Sequence, residues 1–216
     1  MDKIDYKEIS WQMARLIESV ATVEDSQSWG RVLKKEWREM PHVEWIPEVM
    51  LDYGQRHNGF GVTWRTVGQP SYYGSIHLLP LHVLYGGDWE GTVYHGTPDE
   101  DPRLRTFKPV DLFAPDTCVG LYHDERADPE LYYYEFGEEP EPLGLTIAGY
   151  YQLLAMSLGF FHWQRALLEL ATLAPAAPYV PYAHSARRFA EAMPALNPAF
   201  DLQAFAAAYQ RLRLSQ

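Results

Sequence analysis

The sequence contains one cysteine, Cys118, and no hydrophobic run that approaches the length of a membrane-spanning helix. A lone cysteine excludes an intramolecular disulfide framework and a cysteine-rich zinc site, and it favours a reducing compartment. A membrane span requires about 18 consecutive apolar residues, and the charged start of the chain lacks the apolar stretch of a secretory signal. We therefore expect a cytoplasmic protein that does not associate with membranes.

The motifs that mark common catalytic and cofactor sites are also missing. The sequence has no Gly-x-x-x-x-Gly-Lys-Ser/Thr phosphate loop, no Gly-x-Gly-x-x-Gly signature, no Gly-x-Ser-x-Gly elbow and no His-Glu-x-x-His helix. The spacings of the eight histidines do not place a recognised pair of metal ligands on one face. These absences weaken an enzymatic interpretation without excluding one, and we expect no cofactor and no metal.

Negative charge is concentrated in the middle of the chain. Residues 88–141 hold four Lys/Arg against fifteen Asp/Glu, so their net charge of -11 equals that of the whole chain. Nucleic-acid binding requires a basic face, which argues against a nucleic-acid partner. An acidic region favours a cationic partner through long-range attraction, although acidic loops also keep proteins soluble.

Hydrophobic residues recur at helical spacing near both ends of the chain. Steps of three and four residues predict amphipathic helices over 9–20 and 29–40, the second capped by a turn at 25–28. A third helix is expected from Pro47 to the turn at Asn58-Gly59, where a left-handed residue is typical.

The last third of the chain predicts one long helix and two short ones. The long helix covers 147–171, with Thr146 as its N-cap and Gly159 as the position of a kink. It lacks a clean polar face, so we expect it to be buried against a sheet. A stiff connector rich in Pro and Ala leads to the two short helices, at 184–193 and 198–214.

Short β-rich runs separated by Gly, Pro and Asp occupy the middle of the chain. They predict strands at 61–65, 75–81, 91–95, 106–113, 118–123 and 130–136. The last two are expected to be an antiparallel pair joined by an acidic loop. The predicted fold is α+β: a mixed, largely antiparallel sheet with helices packed mainly on one face and extra N- and C-terminal helices. Residues 1–172 are expected to form the main domain, with 173–216 packed on it.

Two local features leave alternatives open. Trp89 lies between Asp88 and Glu90 in a glycine-rich loop, where it either anchors a basic partner or fills the core beneath a turn. Glu90 and Glu135 are candidates for the two catalytic carboxylates of a glycosidase, and this is the alternative in which the protein is an enzyme. Cys118 lies in an apolar run and is expected to be a small buried residue.

A series of short segments resembles a known family in its order along the chain. These segments are Trp-Ile-Pro-Glu-Val-Met-Leu-Asp-Tyr-Gly-Gln-Arg-His-Asn-Gly-Phe at 45–60, Trp64, Ser-Ile-His-Leu-Leu-Pro-Leu at 75–81, Phe-Lys-Pro-Val-Asp-Leu-Phe at 107–113, Cys-Val-Gly-Leu-Tyr at 118–122, Leu-Tyr-Tyr-Tyr at 131–134 and the helix at 144–163. Over about residues 40–170 the chain resembles the SUKH superfamily, which includes bacterial immunity proteins and relatives of the fungal Smi/Knr cell-wall regulators. The long N-terminal helices and the C-terminal extension depart from the family's minimal domain.

The resemblance implies an α+β fold with a mixed sheet and a binding role without catalysis. In bacterial members that role is commonly to neutralise a cognate polymorphic toxin. A nuclease toxin must be basic to bind phosphates, so an acidic inhibitor would reach the same surface quickly. The alternatives are a regulatory or scaffold module of the same fold, and a small-molecule enzyme with a cleft lined by Trp, Tyr and His. The toxin's chemistry and the oligomeric state stay open.

The expected partner-binding surface combines the acidic residues of the middle region with two aromatic anchors, Trp89 and Tyr133. Its members are Asp88, Trp89, Glu90, Asp99, Glu100, Asp101, Asp124, Glu125, Asp128, Glu130, Tyr133, Glu138, Glu139 and Glu141. The expected partner is a basic toxin protein, with no nucleic acid and no membrane involved.

Overall fold

Seven strands pair in sequence order to form one sheet, in which each strand is hydrogen-bonded to the next. The structure is a computed structural model that describes residues 4–28, 46–68, 71–89, 91–97, 100–123, 130–172 and 184–213. The strands are β1 (Thr22–Ser28), β2 (Phe60–Arg65), β3 (Tyr73–Leu78), β4 (Phe107–Ala114), β5 (Thr117–Tyr122), β6 (Leu131–Glu135) and β7 (Glu141–Leu145). All six pairings between them are antiparallel. The parallel component of a mixed sheet is therefore absent from the described strands.

Helices precede, interrupt and follow the sheet. The described α-helices are α1 (Tyr6–Val20), α2 (Glu48–Arg56), α3 (Leu81–Gly86), α4 (Ile147–Ser157), α5 (Trp163–Thr172), α6 (His184–Leu196) and α7 (Leu202–Leu212). A short 3-10 helix, Pro102–Thr106, leads directly into β4. The predicted α+β class, with additional helices at both ends, is confirmed.

The two faces of the sheet bury different sets of side chains, because successive residues of a strand point to opposite sides. Val119 and Tyr133 pair between β5 and β6 and belong to the main core. The adjacent pair, Cys118 and Tyr134, belongs to a smaller core that it shares with Val93, Tyr94, Leu104 and Phe107. Every described α-helix contributes to the main core, through residues such as Ile17, Met50, Leu84, Tyr150, Trp163, Phe189 and Phe205. The helices therefore pack mainly on one face, as predicted.

The predicted long helix is two helices in the structure. Helix α4 ends at Ser157, and the residues that follow include three with left-handed φ: Leu158 at 54°, Gly159 at 64° and His162 at 58°. A side chain at Gly159 would also overlap Ile76 of β3, so only glycine fits there. The prediction of one kinked helix is wrong because this turn redirects the chain before α5.

Several predicted strand boundaries are also wrong. Residues 25–28, predicted as a turn, belong to β1 and pair with β2. The segment 91–95 is a turn, closed when the Val93 N–H donates to the Trp89 carbonyl oxygen at 2.9 Å. Strand β3 stops at Leu78, and Pro80 is the N-cap of α3, a position at which the missing N–H of proline costs no helical hydrogen bond. The predicted helix at 29–40 and the connector before α6 lie outside the described residues.

Candidate functional site

A groove beside the hairpin of β6 and β7 gathers acidic side chains at the surface. Its lining residues are Tyr133, Glu135, Glu138, Glu139, Glu141 and Arg165, and its volume is about 520 Å³. We call this feature the hairpin groove. The Glu138 N–H donates to the Glu135 carbonyl oxygen at 2.9 Å, which closes the turn between the two strands. This tight turn places carboxylates of both strands and of the turn at one end of the sheet.

The hairpin groove is strongly negative. Four carboxylates face one cation, Arg165 of α5, and its guanidinium is paired with Glu141. Glu135, Glu138 and Glu139 are exposed, and none of them forms a salt bridge with another residue in the described ranges. Three carboxylates of the groove are therefore open to a cationic group from outside.

Tyr133 forms the floor of the hairpin groove. It is only 2% exposed, and its hydroxyl lies 3.1 Å from Nδ1 of His162. Burial raises the pKa of the Tyr133 hydroxyl, and burial also lowers the pKa of His162, although Glu135 and Asp116 act in the opposite direction. Tyr133 therefore supports the groove from beneath, and it does not project towards a partner as the sequence analysis expected.

Asp88 and Trp89 lie in a different feature, which we call the tryptophan cleft. The cleft is lined by Gly87, Asp88, Trp89, Tyr94, Leu104, Arg105 and Lys108. The indole N–H of Trp89 donates to the Leu84 carbonyl oxygen at 2.9 Å, and the partly buried ring packs against the core. Two cations share the cleft with Asp88, so the described lining of this cleft is not part of an acidic face.

Three further carboxylates of the predicted surface have local structural partners. Glu100 accepts hydrogen bonds from the backbone N–H groups of His95 and Gly96 at 2.8 and 2.7 Å. Asp101 caps the 3-10 helix and pairs with Arg103 at 2.6 Å, and hydrogen bonding from Arg103 lowers the pKa of Asp101. Glu130 accepts the Gly144 N–H at 3.0 Å. The remaining members of the prediction lie outside the described residues: Glu90, Asp99, Asp124, Glu125 and Asp128.

Among the described members of the predicted surface, the hairpin members Tyr133, Glu138, Glu139 and Glu141 share one groove, Asp88 and Trp89 share another cleft, and the groove adds two residues. Glu135 is the last residue of β6 and lies on the same face of the strand as the buried Tyr133, so strand alternation alone would have predicted a buried residue, and it is exposed where the strand ends. Arg165 reaches the groove only because the chain breaks between α4 and α5. Gly159 predicted a kink at this position, but the local sequence did not show that the helix ends there and that a new one begins at Trp163.

The main core contains two networks of buried polar groups. Asp111 of β4 is 0% exposed and accepts hydrogen bonds from the Tyr150 hydroxyl and the His77 N–H, both at 2.7 Å. Gln164 Nε2 donates to the Tyr150 hydroxyl at 2.8 Å. Burial raises the pKa of Asp111 to about 6, although both of its hydrogen bonds oppose that shift. This network joins β4 to α4 and α5.

The second network joins α1, α4 and the end of α2. Ser10 Oγ lies 2.9 Å from Nε2 of His57 and is also hydrogen-bonded to the Tyr151 hydroxyl. Burial lowers the pKa of His57 to about 4. None of the titratable residues in these two networks lines the hairpin groove or the tryptophan cleft.

In the part of the chain that the structure describes, no group of His, Cys, Asp and Glu side chains is arranged to hold a metal ion. The described helices also include none that combines the length and the apolar character needed to cross a membrane. Comparisons with protein-family models, with curated proteins and with solved structures find no match for this chain.

Proposed function

We propose that this protein is a non-catalytic immunity protein that binds a basic bacterial toxin and neutralises it, with the hairpin groove as its contact surface. The SUKH resemblance supplies the class of function, and the groove supplies the surface. The observation that carries the proposal is the set of exposed carboxylates around the groove, Glu135, Glu138 and Glu139, with Arg165 as the one cation in the described lining.

An exposed set of like charges acts mainly on the rate at which partners meet. Complementary charge raises association rates by about 10- to 1000-fold over those of neutral surfaces, and salt weakens this effect. A toxin that cleaves nucleic acid must present a basic surface to phosphates. The hairpin groove would draw in that surface and cover it, so that the toxin could no longer reach its substrate.

The affinity of such a complex requires contacts beyond the exposed charges, since rim charges contribute little to dissociation. Tyr133 makes the base of the groove rigid. Its hydroxyl is hydrogen-bonded to His162, and its ring stacks on that of Phe113 with the centroids 6.4 Å apart. A lysine or arginine of the toxin entering the groove would then meet carboxylates fixed on a hairpin rather than on a loose loop.

A capture experiment tests this proposal. Tagged wild-type protein and the variant Glu135→Gln/Glu138→Gln/Glu139→Gln are used to capture proteins from lysates of the native cells, at low and at high salt. We expect the wild type to retain a basic protein at low salt that the variant loses. Co-expression of that protein should be toxic, and the wild type should relieve the toxicity better than the variant does.

A matched control removes the same number of charges elsewhere. Glu18, Glu48 and Glu191 are exposed on α1, α2 and α6, and their replacement by glutamine leaves the groove intact. We expect the control variant to capture the same protein as the wild type. Equal capture by the groove variant and the wild type, or a captured protein without toxicity, would contradict the proposal.

A further inference from the structure

The tryptophan cleft is a second surface feature, with a lining separate from that of the hairpin groove, and the charge of its described lining is opposite in sign. It has a volume of about 340 Å³ and is built from the turn after α3, the 3-10 helix and the start of β4. Small-molecule sites have volumes of about 300–1000 Å³ and combine an apolar wall with a few polar groups. The size and the mixed lining of the cleft fit that description.

The apolar wall of the cleft is held rigidly. The indole N–H of Trp89 is fixed on the Leu84 carbonyl oxygen at 2.9 Å. Gly87 lets the ring lie close to the backbone, since an added Cβ would lie 3.2 Å from the Trp89 ring and 2.5 Å from the Val83 carbonyl oxygen. A fixed and only partly buried indole offers a flat surface against which a planar ring can pack.

Among the described lining residues of the cleft, the charged groups have a net positive balance. Arg105 and Lys108 face Asp88, in a chain whose net charge is -11. The Arg105 guanidinium carbon lies 4.9 Å from the centroid of the Tyr94 ring, and this contact holds the guanidinium at the cleft. Lys108 is half-buried on β4, and burial lowers the pKa of its ammonium group while Asp88 opposes that shift. A partly desolvated cation gains more from an incoming anion than one in open water does.

We propose that the tryptophan cleft binds a small organic anion that carries a planar ring, with the oxyanion held by Arg105 and Lys108 and the ring packed on Trp89. A guanidinium presents paired N–H donors that match a phosphate or a carboxylate. The two sources of that oxyanion are a nucleotide phosphate and an aromatic carboxylate. This inference does not depend on the proposed function, because it concerns different residues.

Isothermal titration calorimetry with two probes tests the inference and distinguishes the two sources. AMP presents a ring with a phosphate, and indole-3-acetate presents a ring with a carboxylate. Adenosine carries the ring without the phosphate, and inorganic phosphate carries the oxyanion without a ring. We expect saturable binding of at least one ring-bearing anion, and weaker binding of each half-ligand. Binding of AMP alone assigns a phosphate ligand, and binding of indole-3-acetate alone assigns a carboxylate ligand.

Two variants locate the binding. Arg105→Gln changes an exposed side chain, and Lys108→Gln changes a half-buried one. Each variant should bind the preferred probe about tenfold or more weakly, because it loses a charge-assisted hydrogen bond. Arg187→Gln, on the exposed side of α6, is the matched control and should bind as the wild type does. The inference is overturned if neither ring-bearing probe binds, if inorganic phosphate binds as tightly as AMP, or if both cleft variants bind like the control.

Discussion

The fully buried Asp111 should make the stability of this protein depend on pH in an identifiable way. Its carboxyl group is 0% exposed, and burial raises its pKa in the folded protein to about 6, against an ordinary value of 3.8. Between these two pH values the folded protein holds a proton that the unfolded chain has released. The free energy of unfolding should therefore fall as pH rises from about 4 to about 6, and this contribution should be constant above pH 6.

The size of this contribution follows from the shift in pKa. A shift of one pKa unit corresponds to about 1.4 kcal/mol. Titration of Asp111 should therefore lower the free energy of unfolding by about 3 kcal/mol as pH rises from 4 to 7. The variant Asp111→Asn cannot titrate at this position and should lack the contribution. Loss of a good hydrogen-bond acceptor for Tyr150 also costs about 1–3 kcal/mol, but this cost is independent of pH and does not alter the slope.

His57 should act in the opposite direction over nearly the same range. Burial lowers its pKa in the folded protein from 6.5 to about 4, so the unfolded chain takes up a proton that the folded protein does not. This contribution is present above about pH 6.5 and is lost as pH falls towards 4. The wild type should consequently show a shallow profile in which the two contributions offset each other.

Urea unfolding of the wild type, Asp111→Asn and His57→Gln across this pH range checks the reasoning. As pH falls from 7 to 4, Asp111→Asn should lose about 3 kcal/mol relative to the wild type, and His57→Gln should gain relative to it. Glu18→Gln, an exposed change on α1, should follow the wild type within about 0.5 kcal/mol. A difference between Asp111→Asn and the wild type that stays constant across pH would refute the assignment of a buried titrating carboxyl.

Three further substitutions test how the helices are joined to the sheet, each measured by the midpoint of urea unfolding. Trp64→Phe removes the indole N–H that donates to the Leu158 carbonyl oxygen at 2.8 Å, and it should cost about 1–3 kcal/mol; an unchanged midpoint would contradict this role. Gly159→Ala combines a φ of +64° with overlap on Ile76, so it should cost more than about 1 kcal/mol, and a stabilised variant would exclude the left-handed turn. Thr146→Ala removes an N-cap whose hydroxyl accepts the N–H of the third residue of α4 at 3.3 Å, and it should cost about 0.5–2 kcal/mol, whereas Thr146→Ser should not.

The parts of the fold that were predicted correctly are those specified by neighbouring residues. Helix α1 follows from apolar steps of three and four residues, and the alternation of 118–123 and 130–136 predicts the antiparallel pair β5 and β6. Pro47 and Asn58 mark the ends of α2 because one favours a helix start and the other tolerates a left-handed φ of 56°. Short-range signals of this kind do not depend on the rest of the chain.

The parts that were missed depend on contacts between distant residues. Strand β1, Thr-Val-Glu-Asp-Ser-Gln-Ser, has no apolar alternation, and it forms a strand because it pairs with β2 more than 30 residues later. The break after α4 places His162 in a left-handed conformation that an isolated sequence does not favour. The position of Asp88 in one cleft with Lys108 likewise depends on how α3 leads into β4.

The same distinction applies to the candidate site. Glu138, Glu139 and Glu141 are close in sequence, so a single tight hairpin is sufficient to place them together. The complete groove also needs Arg165, which pairs with Glu141 from a different helix. Composition shows that residues 88–141 are acidic, but it could not show which carboxylates are exposed and which, like Glu100, accept hydrogen bonds from neighbouring backbone N–H groups.

The rate at which this protein associates with the basic protein retained in the capture experiment is the most direct test of the proposed role of the hairpin groove. Stopped-flow measurements over a range of ionic strengths would compare the wild type, Glu135→Gln/Glu138→Gln/Glu139→Gln and the matched control Glu18→Gln/Glu48→Gln/Glu191→Gln. We predict that the groove variant associates about tenfold or more slowly at low salt and depends less on salt than the control does. Equal rates and equal salt dependence for the two variants would contradict a groove that steers a basic partner.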